Sequence, residues 1–189
     1  MTMRSLLFVV FCFLLSPVGA QPMRDVLKRM PSQLVPYLTE NAWLDFIDFK
    51  DSGMRAEVAN QLEGKSVLLS LTDDYASIAL SESSRLDLRL LDVAEPVDSA
   101  QQIICAVFTY GTDVRESTIG FYSRQWRRLD ASERVDLPDG MCILTLGEKE
   151  STLTITPECR LDAPANEEQE EIVKTSISLK WNTKRFNKY

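Results

Sequence analysis

The sequence predicts an α+β fold in which short N-terminal helices pack on a mainly antiparallel sheet of about eight strands. Three observations carry this. Apolar residues recur at helical spacing up to Gly64, and from Lys65 onward the period falls from 3.6 to 2. In Arg85-Leu86-Asp87-Leu88-Arg89-Leu90 leucines and charges alternate, the pattern of an antiparallel strand with one wet side. Ile103 to Tyr110 is apolar on both faces, which places it at the centre of the sheet.

In chain order, residues 1–20 read as a secretory signal: Arg4 in a short polar start, the uncharged run LLFVVFCFLL from Leu6 to Leu15, then Ser16-Pro17-Val18-Gly19-Ala20. The run is shorter than the roughly 20 residues a membrane span needs. Val18 and Ala20 place cleavage between Ala20 and Gln21, so the mature chain is expected to be exported, to the periplasm or beyond the cell, with no transmembrane anchor. Residues 21–64 form the expected helical segment. Met23, Val26, Leu27 and Met30 share a face before Pro31; Trp43, Phe46, Ile47 and Lys50 follow at the same spacing. A third helix is expected from Met54 to Glu63, with Met54, Val58 and Leu62 inward and Gly64 just past its end.

Residues 65–181 form the expected sheet region, in one globular domain with 21–64. Strands are expected at 67–71, 75–80, 85–90, 103–110, 117–122, 141–146, 152–156 and 176–181. The Asn166-x-x-Gln169 spacing adds a short helix through about Lys174, and 182–189 is expected to be a basic tail.

Composition narrows function more than any motif does. Cleavage removes Arg4 and no acid, leaving 20 Lys and Arg against 28 Asp and Glu, a net charge of −8 that disfavours nucleic acid and anionic membranes. The chain has no histidine, so Ser-His-Asp and Cys-His catalysis, histidine-ligated zinc and imidazole acid–base chemistry are all excluded. No cofactor motif is present. Asp45, Asp48 and Asp51 lie along one helix side but lack the rest of a calcium loop, and read as a solvated face.

Three cysteines remain after cleavage. Cys105 lies in the apolar run and reads as core. Cys142 and Cys159 flank a hairpin turning near residues 148–150, which sets Cys142 opposite residue 155 or 156. Cys159 then falls about three residues past register, roughly 10 Å away, and this candidate disulfide forms only if Pro157 bends the strand back. Tyr110, Phe121, Tyr122 and Trp126 concentrate in two neighbouring strands and the loop after them. Exposed, they bind sugar or peptide; buried, they are core.

Several segments, taken in order, resemble the domain-of-unknown-function 3256 family of exported Bacteroidales proteins: Leu34-Val35-Pro36-Tyr37-Leu38-Thr39-Glu40-Asn41, Leu44-Asp45-Phe46-Ile47-Asp48, Met54-Arg55-Ala56-Glu57-Val58, Leu71-Thr72-Asp73-Asp74-Tyr75, Ser81-Glu82-Ser83-Ser84, Ser117-Thr118-Ile119-Gly120-Phe121-Tyr122 with Trp126, and Ala165-Asn166-Glu167-Glu168-Gln169. The resemblance implies compartment and host group but no activity, and it transfers no site residues. For that host group, Asp98-Ser99-Ala100 is similar to a short O-glycosylation acceptor, which makes Ser99 a candidate attachment site; a turn is the alternative reading.

The expected function is a non-enzymatic cell-envelope module that binds a protein, peptide or glycan. The alternatives are a glycan hydrolase working through paired carboxylates and an accessory subunit stable only with a partner.

Overall fold

The computed structural model describes residues 23–157 and 176–188. The signal segment with Ala20 and Gln21, Cys159, and the helix expected at 166–174 lie outside these residues.

Two helices open the described chain, α1 (Met23–Lys28) and α2 (Glu40–Asp51). The Thr39 hydroxyl caps α2 by accepting from the Ala42 amide at 3.2 Å. Gly53, at φ +69°, ends it in the left-handed region that glycine enters without strain. Met23, Val26 and Leu27 of α1 and Trp43, Phe46 and Ile47 of α2 are buried, as their spacing requires. Asp45 and Asp48 are exposed on α2, and Asp51 pairs with Arg24 at 2.8 Å.

Seven strands follow as an antiparallel meander in chain order: β1 (Glu57–Ala59), β2 (Lys65–Leu71), β3 (Tyr75–Ser81), β4 (Ser84–Val97), β5 (Ala100–Tyr110), β6 (Glu116–Tyr122) and β7 (Arg128–Leu129). A second antiparallel sheet, ordered β11-β10-β9-β8, contains β8 (Cys142–Leu146), β9 (Thr152–Pro157), β10 (Ile177–Trp181) and β11 (Phe186–Lys188).

Three layers result, and β5 shows why. Its even residues Ile104 and Ala106 enter the core beneath the helices, while Ile103, Cys105 and Val107 enter a separate core against the small sheet. Successive strand side chains point to opposite faces, so a strand between two cores must be apolar throughout. The small sheet supplies Leu144, Leu146, Leu153, Ile155, Leu179 and Trp181 to the second core. Its C-terminal hairpin is tied across by the Trp181 indole N–H, which donates to the Asp92 carbonyl at 2.6 Å.

Four expectations are corrected. The predicted single sheet is two sheets. Residues 54–63 form no helix: Ala56 and Val58 are buried at a period of 2 as the chain enters β1, while Met54 and Leu62 are 53% and 63% exposed. The basic tail contains β11, whose Phe186 is buried. The β8–β9 register sets Cys142 opposite Pro157 rather than residue 155 or 156.

Two residues of the expected wet face of β4, Asp87 and Arg89, are also buried, while Arg85 stays exposed. Asp87 accepts both contacts of the Arg85 Nε at 3.0 Å and the Tyr75 hydroxyl at 3.1 Å. Arg89 donates to the carbonyls of Gly147 and Glu148 at 2.9 and 2.7 Å, and to the Asp74 carboxylate at 2.7 Å. The β8–β9 turn is thereby held to the large sheet by a guanidinium. Burial, reinforced by the Asp87 charge, pushes the Tyr75 hydroxyl above its ordinary pKa and keeps it a neutral donor.

Candidate functional site: an aromatic surface on the large sheet

The helices cover the large sheet unevenly. α2 packs on β1 and β2, and at the far end β5 and β6 carry their own cover of aromatic rings. On β5, Phe108 and Tyr110 point to the helix-side face two residues apart, with ring centroids 6.3 Å apart and planes within 6° of parallel. Phe108 is partly buried against the helix-side core, whereas Tyr110 is 48% exposed. Together they form a flat apolar step at the rim of that core.

Two further tyrosines approach it. Partial burial pushes the Tyr110 hydroxyl up in pKa, and the Tyr37 and Tyr122 hydroxyls add to the shift. Tyr122 owes its position to Gly120: a Cβ there would sit 2.9 Å from the Tyr122 hydroxyl oxygen, so only glycine leaves room for the ring to lie back over β6. The other edge of Tyr122 meets Trp126 at 5.4 Å, and the Trp126 indole donates to the Val26 carbonyl of α1 at 3.2 Å. The exposed Thr118 stands opposite Phe108 on the neighbouring strand. The result is two parallel rings bordered by hydroxyl groups, which suits a ligand with apolar C–H faces and polar edges.

Of the four aromatics singled out in the sequence, Tyr110 is exposed, and Tyr122 and Trp126 are buried supports of the surface. Phe121 is fully buried on the opposite face, 6.2 Å from Trp181 in the second core. Sequence reading missed Phe108 and Tyr37. The i, i+2 spacing of Phe108 and Tyr110 was the available signal for the former; Tyr37 arrives from a loop, with none.

Ser99 is exposed at the tip of the β4–β5 turn, where Asp98 and Ser99 have φ of 48° and 65°, the signature of a type I′ turn. Asp98 is bound by Arg127 at 3.1 and 2.7 Å, which lowers the Asp98 pKa with help from Ser123. Cys105 is fully buried and its thiol pKa is pushed up by burial; burial and the Glu116 charge raise that of Cys142. Among the described residues no three cysteine or acidic side chains converge as a metal-ligating group, and no helix is long and apolar enough to cross a membrane.

The fold is shared with a solved domain of an uncharacterized protein from Porphyromonas gingivalis W83, at a TM-score of 0.71 and 18% identity, covering 90% of this chain and 98% of that one. No curated protein matches the sequence. The sequence profile described as "Protein of unknown function (DUF3256)" matches residues 15–152, which is more than half of the 189-residue chain and includes every residue of the aromatic surface. The chain therefore belongs to the DUF3256 family.

Proposed function

We propose that this protein is an exported cell-envelope binding module that holds a glycan on the Phe108–Tyr110 surface. The observation that carries the reading is the half-exposed Tyr110 ring lying parallel to Phe108, with the exposed Thr118 opposite Phe108 on the next strand. A pyranose offers a matching surface, with C–H groups for the rings and hydroxyls for the tyrosines and Thr118. Ring stacking needs no ionised group, consistent with a chain lacking histidine. Export is supported by the uncharged run Leu6–Leu15 followed by Ser16 to Ala20, and the protein recovered from the cell envelope is expected to begin at Gln21 on N-terminal sequencing. Recovery with Met1 intact counts against export.

The binding test is thermal unfolding of the chain from Gln21 onward with soluble peptidoglycan fragments and envelope glycans. A ligand at about 100 times its Kd stabilises the native state by about 2.7 kcal/mol, a rise of roughly 5–10 °C for a domain of this size. Tyr110→Ala is expected to abolish the rise while moving the ligand-free midpoint by no more than about 2 °C, because the ring is half in solvent. No rise with any glycan, or a rise that survives Tyr110→Ala, overturns the reading.

A further inference from the structure

The outer edge of β6 is a second site, differently built from the aromatic surface but adjoining it: Thr118 lines both, and Glu116 lies opposite Tyr110 in the β5–β6 register. β7 pairs only with Phe121 and Tyr122, so the stretch from Glu116 to Gly120 has no strand beside it among the described residues. The direction of its backbone groups follows from its neighbours. The Ser123 amide donates outward to the Arg127 carbonyl at 2.9 Å, and alternate residues of an antiparallel strand point their N–H and C=O to the same side. Ser117 and Ile119 share the parity of Ser123 and so direct theirs away from β5. On the other side, the Gly111 amide bonds the Ser83 carbonyl at 2.9 Å, which assigns the odd residues of β5 to β4 and leaves the even ones for Glu116, Thr118 and Gly120.

The outward groups of Ser117 and Ile119 open on a groove of about 440 Å³. Its far wall contains Val135, Leu137 and Cys142, the last at the start of the small sheet's own edge strand. The two sheets meet at one end of the groove, where the Leu144 amide donates to the Ser117 hydroxyl at 3.0 Å. Among the described residues, Glu116 is the one charged side chain in the lining.

We propose that this edge takes an extended peptide as an added strand, its backbone bonded to Ser117 and Ile119, an apolar side chain against Val135 and Leu137, and a basic side chain at Glu116. Two outward donor–acceptor pairs about 7 Å apart match the repeat at which another extended backbone presents its own. Charge selects the occupant: a second copy of the chain from Gln21 onward would bring 20 Lys and Arg against 28 Asp and Glu, a net charge of −8, to a groove that already holds a carboxylate, whereas a basic segment complements both.

The test is fluorescence anisotropy of the chain from Gln21 onward with a labelled, end-blocked eight-residue peptide of alternating Lys and Val. Binding in the micromolar to submillimolar range is expected, with the Glu–Val counterpart roughly tenfold weaker or worse. Glu116→Lys is expected to weaken the Lys–Val peptide about fivefold or more. Ile119→Pro is expected to abolish binding, since it removes an outward N–H that the β5 ladder does not use. N-methylation of the peptide amides on one edge should abolish binding equally, which keeps the test valid if Ile119→Pro fails to fold. Tyr110→Ala, beside Glu116 in the register but without a part in the outward backbone pairing, should weaken peptide binding far less than Glu116→Lys does, separating this site from the glycan surface. Absence of binding at about 1 mM, or binding indifferent to both N-methylation and Glu116→Lys, overturns the proposal. So does self-association of the wild type that Ile119→Pro removes, which would assign the edge to a second copy.

Discussion

Asp74→Ala is expected to lower the thermal midpoint by about 6–12 °C, corresponding to about 3 kcal/mol for a domain of this size. The Arg89 side chain is 4% exposed and the Asp74 side chain 45% exposed, so the substitution strips the carboxylate from a guanidinium that stays in the interior. The cost stays at the lower end of that for broken buried pairs because Arg89 keeps the Gly147 and Glu148 carbonyls. Arg89→Met should be no more harmful than Asp74→Ala: the freed Asp74 is half in water, and the methionine retains most of the aliphatic packing. The double variant should cost clearly less than the two singles added together, since its second substitution removes a charge already without a partner. Strict additivity in circular-dichroism melts would mean that the pair is not coupled.

Phe121→Ala should be more harmful still, at about 3–5 kcal/mol. Its ring is fully buried and touches two others, with centroids 6.2 Å from Trp181 and 6.4 Å from Phe186. Phe121 belongs to the large sheet and the other two to the small one, so the cavity opens at the seam between the sheets. With native stabilities of about 5–15 kcal/mol, the alanine variant lies near the limit of folding. Phe121→Leu, at about 1–2 kcal/mol, gives a measurable series if alanine fails to fold. The expected signature is early exposure of tryptophan fluorescence from Trp181; a variant melting within about 2 °C of wild type would show that the seam repacks around the gap.

These residues show what a linear reading can and cannot supply. The centrality of β5 was legible because both faces of that strand must be apolar whatever covers them. What covered the second face was not. Arg85, Asp87 and Arg89 spell a wet side by alternation alone, yet Asp87 and Arg89 are buried, and the burial of Arg89 depends on partners far along the chain: Asp74, 15 residues away, and Gly147, 58 residues away. Met54, Val58 and Leu62 match a helical face by spacing, but Ala56 and Val58 match a strand equally well, and a ten-residue window cannot separate the two. β11 has three residues and one apolar anchor, Phe186, too little for any periodicity. Of the candidate surface, Tyr110 was legible as a residue, while its alignment with Phe108 and the approach of Tyr37 required the sheet. The β6 groove depends on where β7 stops short, which is a property of pairing rather than composition.

The order in which the layers can be assembled follows from the two cores on β5. The large sheet is a run of consecutive hairpins, each closed by a short loop, so its pairing is local and fast. Its second face needs Leu179, Trp181 and Phe186, which lie beyond residue 176 and so reach the folding compartment after the meander. A meander that forms before the C-terminal hairpin docks therefore carries one sealed face and one greasy, unsealed one holding Ile103, Val107 and Phe121. Chaperone holdases of the folding compartment should engage that face in chains truncated before β10 and release it once the C-terminal hairpin is present and docks.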